Sequence, residues 1–314
     1  MRLRHIEVFH AVYVTGSVSA GARALNVSQP TVSKVLKHAE DQLGFSLFDR
    51  IGGRLIPTEK GQKLFVEIEP VFEKLRDLDK FTHILANTRS GHLRFAATPA
   101  FGLEIVPQSV AAYMKAHPDV TIEVETVHAR QLVQALQNNE IDIGLVFDAP
   151  HVPGISSHRL KTTEFICVAS KDMRLPNRKV LTLEQLVEYP LITLNQKSVL
   201  GQTLSRKLSD AGGRAPNSQI TVETYHIAKR LVQQRAGLAI IDAITGFSGD
   251  NTGLQFRQID PRIHIGIDVI TRLDAPKERY HEEFMAALEE SITLFCRRTS
   301  YTKHVKSSVD MHNI

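Results

Sequence analysis

Residues 22–34 read ARALNVSQPTVSK, and the reading of this stretch decides the amino-terminal fold. Its first residues close a short helix, Val18 to Leu25, capped by Ser17. The small side chains of Ala20, Gly21, Ala22 and Ala24 let a neighbouring helix approach closely. Asn26-Val27-Ser28 is a tight turn, because Asn26 tolerates left-handed backbone. Ser28 caps a third helix that starts Gln29-Pro30-Thr31 and runs to Leu43, with Pro30 in the first turn, where a missing N–H costs little. On the amino-terminal side, Leu3, Ile6, Phe9 and Val12 recur at helical spacing up to Gly16. Three short helices with a tight turn between the second and third predict a helix-turn-helix, a motif whose last helix lies in the major groove of DNA.

The start of the third helix is polar: Ser28, Gln29, Thr31, Ser33 and Lys34 offer short donors and acceptors and a cation, suited to base edges and phosphates. Helical geometry puts Gln29, Ser33 and Lys37 on one face and turns Val32, Val35 and Leu36 inward. Gly44 stops the helix. Phe45 to Thr58 is broken by Gly52, Gly53 and Pro57, and it carries Arg50 and Arg54. It predicts a two-stranded wing whose arginines reach flanking phosphates or the minor groove. Any one of these polar residues would equally suit an ordinary capped helical hairpin; their combination favours DNA binding.

Farther on, Thr58 caps a long helix, Glu59 to Asn87. Its stripe of Leu64, Ile68, Phe72, Leu75, Leu78 and Phe81 has nothing of its own to pack against, which suggests a dimerising arm; a bend is expected at Pro70. Thr88-Arg89-Ser90-Gly91 reads as a hinge. Strands and helices then alternate: strand Leu93–Ala97, helix Ile105–His117, strand Val120–Thr126, helix Ala129–Asn138 and strand Ile141–Phe147, then strands Ile155–Leu160 and Glu164–Ala169. A second set follows, with strands Leu191–Leu194, Gln219–Val222, Leu238–Ile241 and Ile263–Thr271, helices Val199–Ala211 and Tyr225–Arg235, and a last helix from Lys277 to Phe295. Repeated βα units predict parallel sheets with helices on their faces, here in two lobes around a cleft.

The expected organisation is therefore an all-α winged helix-turn-helix at 1–58, a linker and dimerisation helix at 59–88, and an α/β two-lobed, periplasmic-binding-protein-like effector domain at 89–300. Lobe 1 is assigned to about 92–169 and 271–296, lobe 2 to about 170–270, and 301–314 to a disordered tail. That tail region is basic, with Arg297, Arg298, Lys303 and Lys306. The length of 314 residues suits two or three domains, and a hydrophobic fraction of 42% supplies a sizeable core. A net charge of +4 permits nucleic-acid binding without establishing it. The two cysteines, Cys167 and Cys296, build neither a disulfide framework nor a zinc site. No signal-peptide core opens the chain and no apolar run approaches the roughly 18 residues of a membrane span, so a cytoplasmic setting is expected.

Residues 3–62 resemble the DNA-binding domain of the LysR-type transcriptional regulators. The resemblance rests on A-x-x-L-N-V-S-Q-P-T-V-S-K from Ala22 to Lys34, followed by L-G-F-S-L-F-D-R and P-T-E-K-G. It extends over nearly the whole chain and implies a homodimer or homotetramer that binds double-stranded promoter DNA, with RNA polymerase as a further partner. Carried over residue by residue, it makes Gln29, Pro30, Thr31, Ser33 and Lys34 recognition-helix positions and Arg50 and Arg54 the wing. Gly21 stands where the family usually has alanine. The family resemblance further implies that an effector closes the two lobes and changes the spacing of paired recognition helices.

In open α/β sheets, ligands sit beyond the carboxyl ends of strands, where helix N-termini favour anions. Those ends hold Thr98-Pro99-Ala100-Phe101, Val127-His128, Phe147-Asp148, Asn195-Gln196-Lys197-Ser198, Glu223-Thr224-Tyr225 and Asp242. Thr98 and Ser198 add hydroxyls, and Asp148 or Glu223 would pair with an ammonium group, a combination suited to a zwitterion. The segments ATPAFGLEIVPQSV (97–110) and GRLIPT (53–58) resemble the amino-acid and opine-responsive branch of the family. An organic acid is the competing effector, and a cysteine-based redox sensor or a solute-binding protein the other readings. No GxSxG, HExxH, P-loop or GxGxxG pattern and no metal-ligand spacing is present, so neither an enzyme, a cofactor nor a metal is expected.

Overall fold

The structure is a computed structural model that describes residues 1–52, 54–87, 91–196, 198–212, 218–275 and 278–299. The predicted hinge residues Thr88, Arg89 and Ser90, together with Gly53, Lys197 and the 301–314 tail, lie outside the described residues. The chain divides into two compact units, Met1–Asn87 and Thr88–Ile314.

The first unit holds α1 (Leu3–Thr15), α2 (Val18–Ala24), α3 (Gln29–Leu43), the antiparallel hairpin β1 (Phe48–Ile51) and β2 (Arg54–Pro57), and α4 (Glu59–Asn87). Left-handed residues end the elements where the sequence placed them: Gly16 at φ 72°, Asn26 at 53° and Gly44 at 73°. Ser17 Oγ accepts from the Ala20 N–H at 3.1 Å, and Thr58 Oγ1 accepts from the Gly61 N–H at 3.0 Å. The core joins Val8, Phe9 and Val12 of α1 to Ala22, Val32, Leu36, Ala39 and Leu47.

Glu40, a polar residue without a motif, ties the wing to α3. Its Oε1 accepts the Leu47 N–H at 2.7 Å and the Phe48 N–H at 3.3 Å, pairing two donors that start the hairpin.

The long helix does have a surface to pack against. Leu64, Phe65, Ile68 and Phe72 join the core of this unit, Phe72 stacks on His10 at 3.8 Å and Phe65 on Tyr13 at 3.8 Å. Glu69 pairs with His10 at 2.8 Å and with Arg76 at 2.9 Å; the hydrogen bond from Arg76, and then that from His10, lowers its pKa. The expectation of an unpartnered helix is thus corrected for its first half, because α1 supplies the opposing aromatic face. Farther along, Leu75 is 41% and Leu78 55% exposed. The helix continues through Pro70.

In the second unit, β3 (His92–Ala97), β4 (Thr121–Thr126) and β5 (Ile143–Phe147) run parallel in the order β4-β3-β5, with α5 (Ile105–Ala116) and α6 (Ala129–Gln137) as crossovers. All of β5 is buried, as a central parallel strand requires. One continuous strand, β6 (Ile155–Ser170), replaces the two predicted there. The polar Lys161-Thr162-Thr163 segment interrupts the apolar pattern, but it pairs with Ile267, Gly266 and Ile265 of β12 (His264–Arg272), so backbone hydrogen bonding carries the strand through.

The second lobe comprises β7 (Val180–Thr182), α7 (Leu183–Leu186), β8 (Leu191–Leu194), α8 (Val199–Gly212), β9 (Ser218–Val222), α9 (Tyr225–Gln233), β10 (Leu238–Asp242), α10 (Ala243–Phe247) and β11 (Leu254–Asp260). The closing helix α11 (Arg279–Arg298) packs on α5, with Phe284 buried edge-on against Phe95 at 5.0 Å and Tyr113 at 5.3 Å.

The lobe boundaries shift from those read in the sequence. Phe165–Ser170 of β6 pairs with β10 and β11 and so belongs to lobe 2, while His264–Arg272 pairs with β5 and the first part of β6 and so belongs to lobe 1. The chain therefore crosses near 164/165 and 263/264 rather than near 169/170 and 270/271. Strand partners set a lobe boundary, and pairing between distant segments leaves no local signal.

Candidate functional site

The outer surface of α3 is polar and open. Ser28, Gln29, Pro30, Thr31, Lys34 and Lys37 are exposed, whereas Ser33 and Val35 are half-buried and Val32, Leu36 and Ala39 are buried. The exposed face thus centres on Pro30, Lys34, Lys37 and Asp41; Ser33 lies at its edge because it neighbours the core-facing Val32 and Leu36 turn. Ser28 Oγ lies 2.8 Å from Thr31 Oγ1 and 3.4 Å from the Thr31 backbone nitrogen, so both hydroxyls take part in the helix cap. On the wing, Arg50 is exposed on β1, and Arg54 opens β2 opposite Ile51.

The second unit contains a cavity of about 320 Å³ between its lobes. Lobe 1 contributes Thr98, Pro99 and Ala100 after β3, His128 with Ala129, Arg130 and Gln131 at the start of α6, and Phe147 at the end of β5. Lobe 2 contributes Leu194, Asn195, Ser198, Val199 and Leu200 before and at the start of α8, Glu223, Thr224 and Tyr225 at the start of α9, and Thr245 of α10. The amino ends of α6, α8 and α9 therefore meet at one cavity, and such ends present N–H groups and positive dipole potential. At the mouth, His128 of lobe 1 lies 3.1 Å from Glu223 of lobe 2. Glu104 forms a second bridge, accepting the Gly249 N–H at 3.2 Å while it pairs with Arg298 at 3.0 Å.

The cavity wall holds polar atoms without partners. Thr98 Oγ1 and Tyr225 Oη are buried and make no hydrogen bond. Asp242 Oδ1 accepts the Thr245 N–H at 2.8 Å. Burial pushes the Asp242 carboxyl up to about 6 and, together with the nearby Asp242 charge, raises the Tyr225 phenol well above its usual range.

Comparison with known proteins gives two matches. Residues 3–62 match the bacterial regulatory helix-turn-helix protein, lysR family, and residues 86–293 match the LysR substrate binding domain. The chain belongs to the LysR family of transcriptional regulators. Among its relatives, this regulator is 36% identical to the HTH-type transcriptional regulator DgcR of a Pseudoalteromonas species, over 86% of this chain and 92% of that one. It is 27% identical to the regulatory protein NocR of Agrobacterium fabrum, over 92% and 96%. The crystal structure of full-length CbnR with its target DNA shares the fold, with a TM-score of 0.68, 21% identity and coverage of 93% and 100%. The protein is thus a DNA-binding transcription regulator with a two-lobed substrate-binding domain, not an enzyme.

Of the effector residues anticipated for the regulator, Thr98, Pro99, Ala100, His128, Phe147, Ser198, Glu223, Thr224 and Tyr225 line the cavity. Three do not. Phe101 is fully buried beneath the turn, 4.6 Å from the Phe147 ring, because its apolar side chain joins the lobe 1 core. Asp148, at φ 40°, turns to β12, where its Oδ1 accepts the Gly266 N–H at 2.8 Å and pairs with Arg159 at 3.3 Å. Gln196 donates to Ser205 Oγ at 3.0 Å, along α8. Arg130, Gln131 and Thr245 were missed. The signal for Arg130 was its place in the first turn of a helix that starts at a strand end; Thr245 gave none, since the short α10 has no periodicity to read.

Burial pushes the Cys167 thiol up to about 12 and likewise raises that of Cys296, which shifts both away from the thiolate form that oxidants attack. Among the described residues, no group of three or more His, Cys, Asp or Glu could hold a metal ion, and no helix is long and apolar enough to cross a membrane.

The raised carboxyl of Asp242 has a consequence for stability. Its pKa of about 6 in the folded regulator exceeds the ordinary 3.8, so the folded state binds the proton more tightly. Stability contributed by this group is therefore present at low pH and lost as pH rises from 3.8 through about 6. The melting temperature of the native protein should fall relative to that of Asp242→Asn across this window. Parallel curves would mean that Asp242 titrates normally.

Proposed function

We propose that this regulator binds promoter DNA as a homodimer or homotetramer and that an amino acid or amino-acid derivative in the cleft controls it. The observation that carries the effector reading is the convergence of three helix amino ends and Arg130 on one cavity of about 320 Å³. Arg130 and the start of α8, capped by Ser198, suit a carboxylate; Leu194, Val199, Leu200 and Phe147 suit an apolar body. On the DNA side, Gln29, Pro30 and Thr31 face base edges, Ser28, Ser33, Lys34 and Lys37 hold register, and Arg50 and Arg54 reach flanking phosphates. The exposed Leu75 and Leu78 of α4 support pairing of that helix with a second copy. The setting is the cytoplasm, and the output passes to RNA polymerase.

An effector that binds the closed lobes more tightly than the open ones shifts the balance between them, and that differential affinity is the signal. Thermal shifts of the full chain over amino acids, 2-hydroxy acids, dicarboxylates and aromatic acids test the reading, since a ligand at 100 times its Kd stabilises by about 2.7 kcal/mol. If dicarboxylates or aromatics alone raise the melting temperature, the zwitterion reading fails. For assembly, Leu75→Glu with Leu78→Glu should reduce the oligomer on sedimentation and weaken binding to the DNA upstream of the gene by about tenfold or more through lost bivalency. An unchanged oligomer would remove α4 from the interface.

A further inference from the structure

The first unit holds a cluster of basic groups that no acid among the described residues answers. His5, in the first turn of α1, is 6% exposed, and its ring lies edge-on to that of His38 of α3, with 5.2 Å between centroids. Its Nδ1 accepts the Arg2 N–H at 3.4 Å, which leaves the proton on Nε2, and Nε2 donates to nothing among the described residues. Arg2 and His38 are exposed. Burial comes first in lowering the His5 pKa, and every charge that acts on it, His38 foremost, is positive.

The nearby acids are engaged elsewhere. Glu7 pairs with Arg4 at 3.0 Å, Glu40 accepts the Leu47 and Phe48 N–H groups, and Glu69 pairs with His10. Asp41, three residues beyond His38 on α3, forms an ion pair with neither His38 nor Arg2. The first turn of α1 carries no acidic residue, so the positive end of its dipole adds to the same sign.

We propose that Arg2 and His38, backed by His5, hold a backbone phosphate of the bound DNA, beside the groove that α3 enters. The inference rests on α3 being the groove helix. An anion is what the cluster lacks: basic groups gathered without an acid disfavour one another's charged forms, and a buried N–H without an acceptor is costly. The occupant is a phosphodiester of the duplex, because Thr31, Lys34 and His38, at positions i, i+3 and i+7, share one exposed flank of α3. The start of α1 therefore extends a row of donors that begins on the helix set against the DNA. Guanidinium and imidazole N–H groups match phosphate oxygens, and a contact of this kind carries no base preference.

The test is anisotropy titration of the full chain over a salt series, on the DNA upstream of its gene and on an unrelated duplex of equal length. Arg2→Gln with His38→Gln should lower affinity by about tenfold or more on both duplexes alike. The slope of log K against log salt should fall by about 2 for a dimer that loses one phosphate contact per protomer. His38→Glu should lose about 100-fold, while its melting temperature stays at or above that of the native protein, because an acid among these basic groups removes repulsion. A merely structural role would move affinity and melting temperature down together. Unchanged affinity in both variants, a loss confined to the upstream DNA, or a melting temperature that falls with the affinity overturns the site. Lys34→Ala with Lys37→Ala separates the two readings. If it weakens binding that Arg2→Gln with His38→Gln leaves intact, only the phosphate site falls; if neither pair affects binding, α3 is not the groove helix and the site falls with it.

Discussion

Lys34→Ala combined with Lys37→Ala is expected to lower affinity for promoter DNA by about 100-fold at physiological salt and to flatten its salt dependence. Both side chains stand on the exposed face of α3, and no carboxylate is placed beside either among the described ion pairs. Each cation that neutralises a phosphate releases counterions, with a slope of about 0.9 in log K against log salt per contact. A dimer lacking four such cations should lose a slope of about 3 to 4. Anisotropy titrations across a salt series read this directly. Effector affinity should not change, since both residues belong to the first unit and the cleft to the second. If the slope of the double variant matches that of the native protein, these lysines do not face phosphates.

Gly61→Ala is expected to destabilise the first unit by about 2 kcal/mol even though alanine favours helix by about 1 kcal/mol. Gly61 lies in the first turn of α4, where its N–H donates to Thr58 Oγ1. A Cβ there would overlap the backbone carbonyl oxygen of Leu47. That carbonyl also accepts the Thr58 N–H at 3.0 Å, so it cannot retreat without loosening the junction of wing and helix. Gly21→Ala is the control. Its Cβ would lie 2.9 Å from Val12 Cγ2 and 3.2 Å from the Val12 backbone nitrogen and Cα, contacts less severe than the Gly61 overlap, so a smaller loss of about 1 kcal/mol is expected after the gain in helix propensity. This accounts for a glycine where alanine is usual in the family, since α1 and α2 cross closely at this point. Hydrogen exchange on the full chain should show a large loss of protection in residues 1–87 for Gly61→Ala and a smaller one for Gly21→Ala. Equal effects of the two would contradict the backbone overlap.

The amino-terminal unit was legible because its signals are local. Ser17 and Ser28 caps, Gly16, Asn26 and Gly44 at left-handed positions, and the Pro30 start all act within a few residues of the backbone they govern. Glu40 was not legible, because its partners, Leu47 and Phe48, are set by the return of the chain after Gly44. In the second unit the parallel strands and their helices were read from apolar periodicity, but β7, α7, α10 and β11 were not. Each is short or carries mixed polar and apolar residues, such as LQFRQID in β11, and is held by pairing with β6 and β7.

By itself, the order of residues determined most of the elements, the cavity's position at the strand ends and the polar front of α3, because propensity, capping and periodicity are properties of neighbouring residues. Only the tertiary structure decided which side chains turn into the cleft. Asp148 and Gln196 sit at strand ends yet bond elsewhere, whereas Thr245, in a helix too short to show periodicity, lines the cleft. Long-range pairing and burial, which depend on where distant segments come to rest, choose the partners of a polar group.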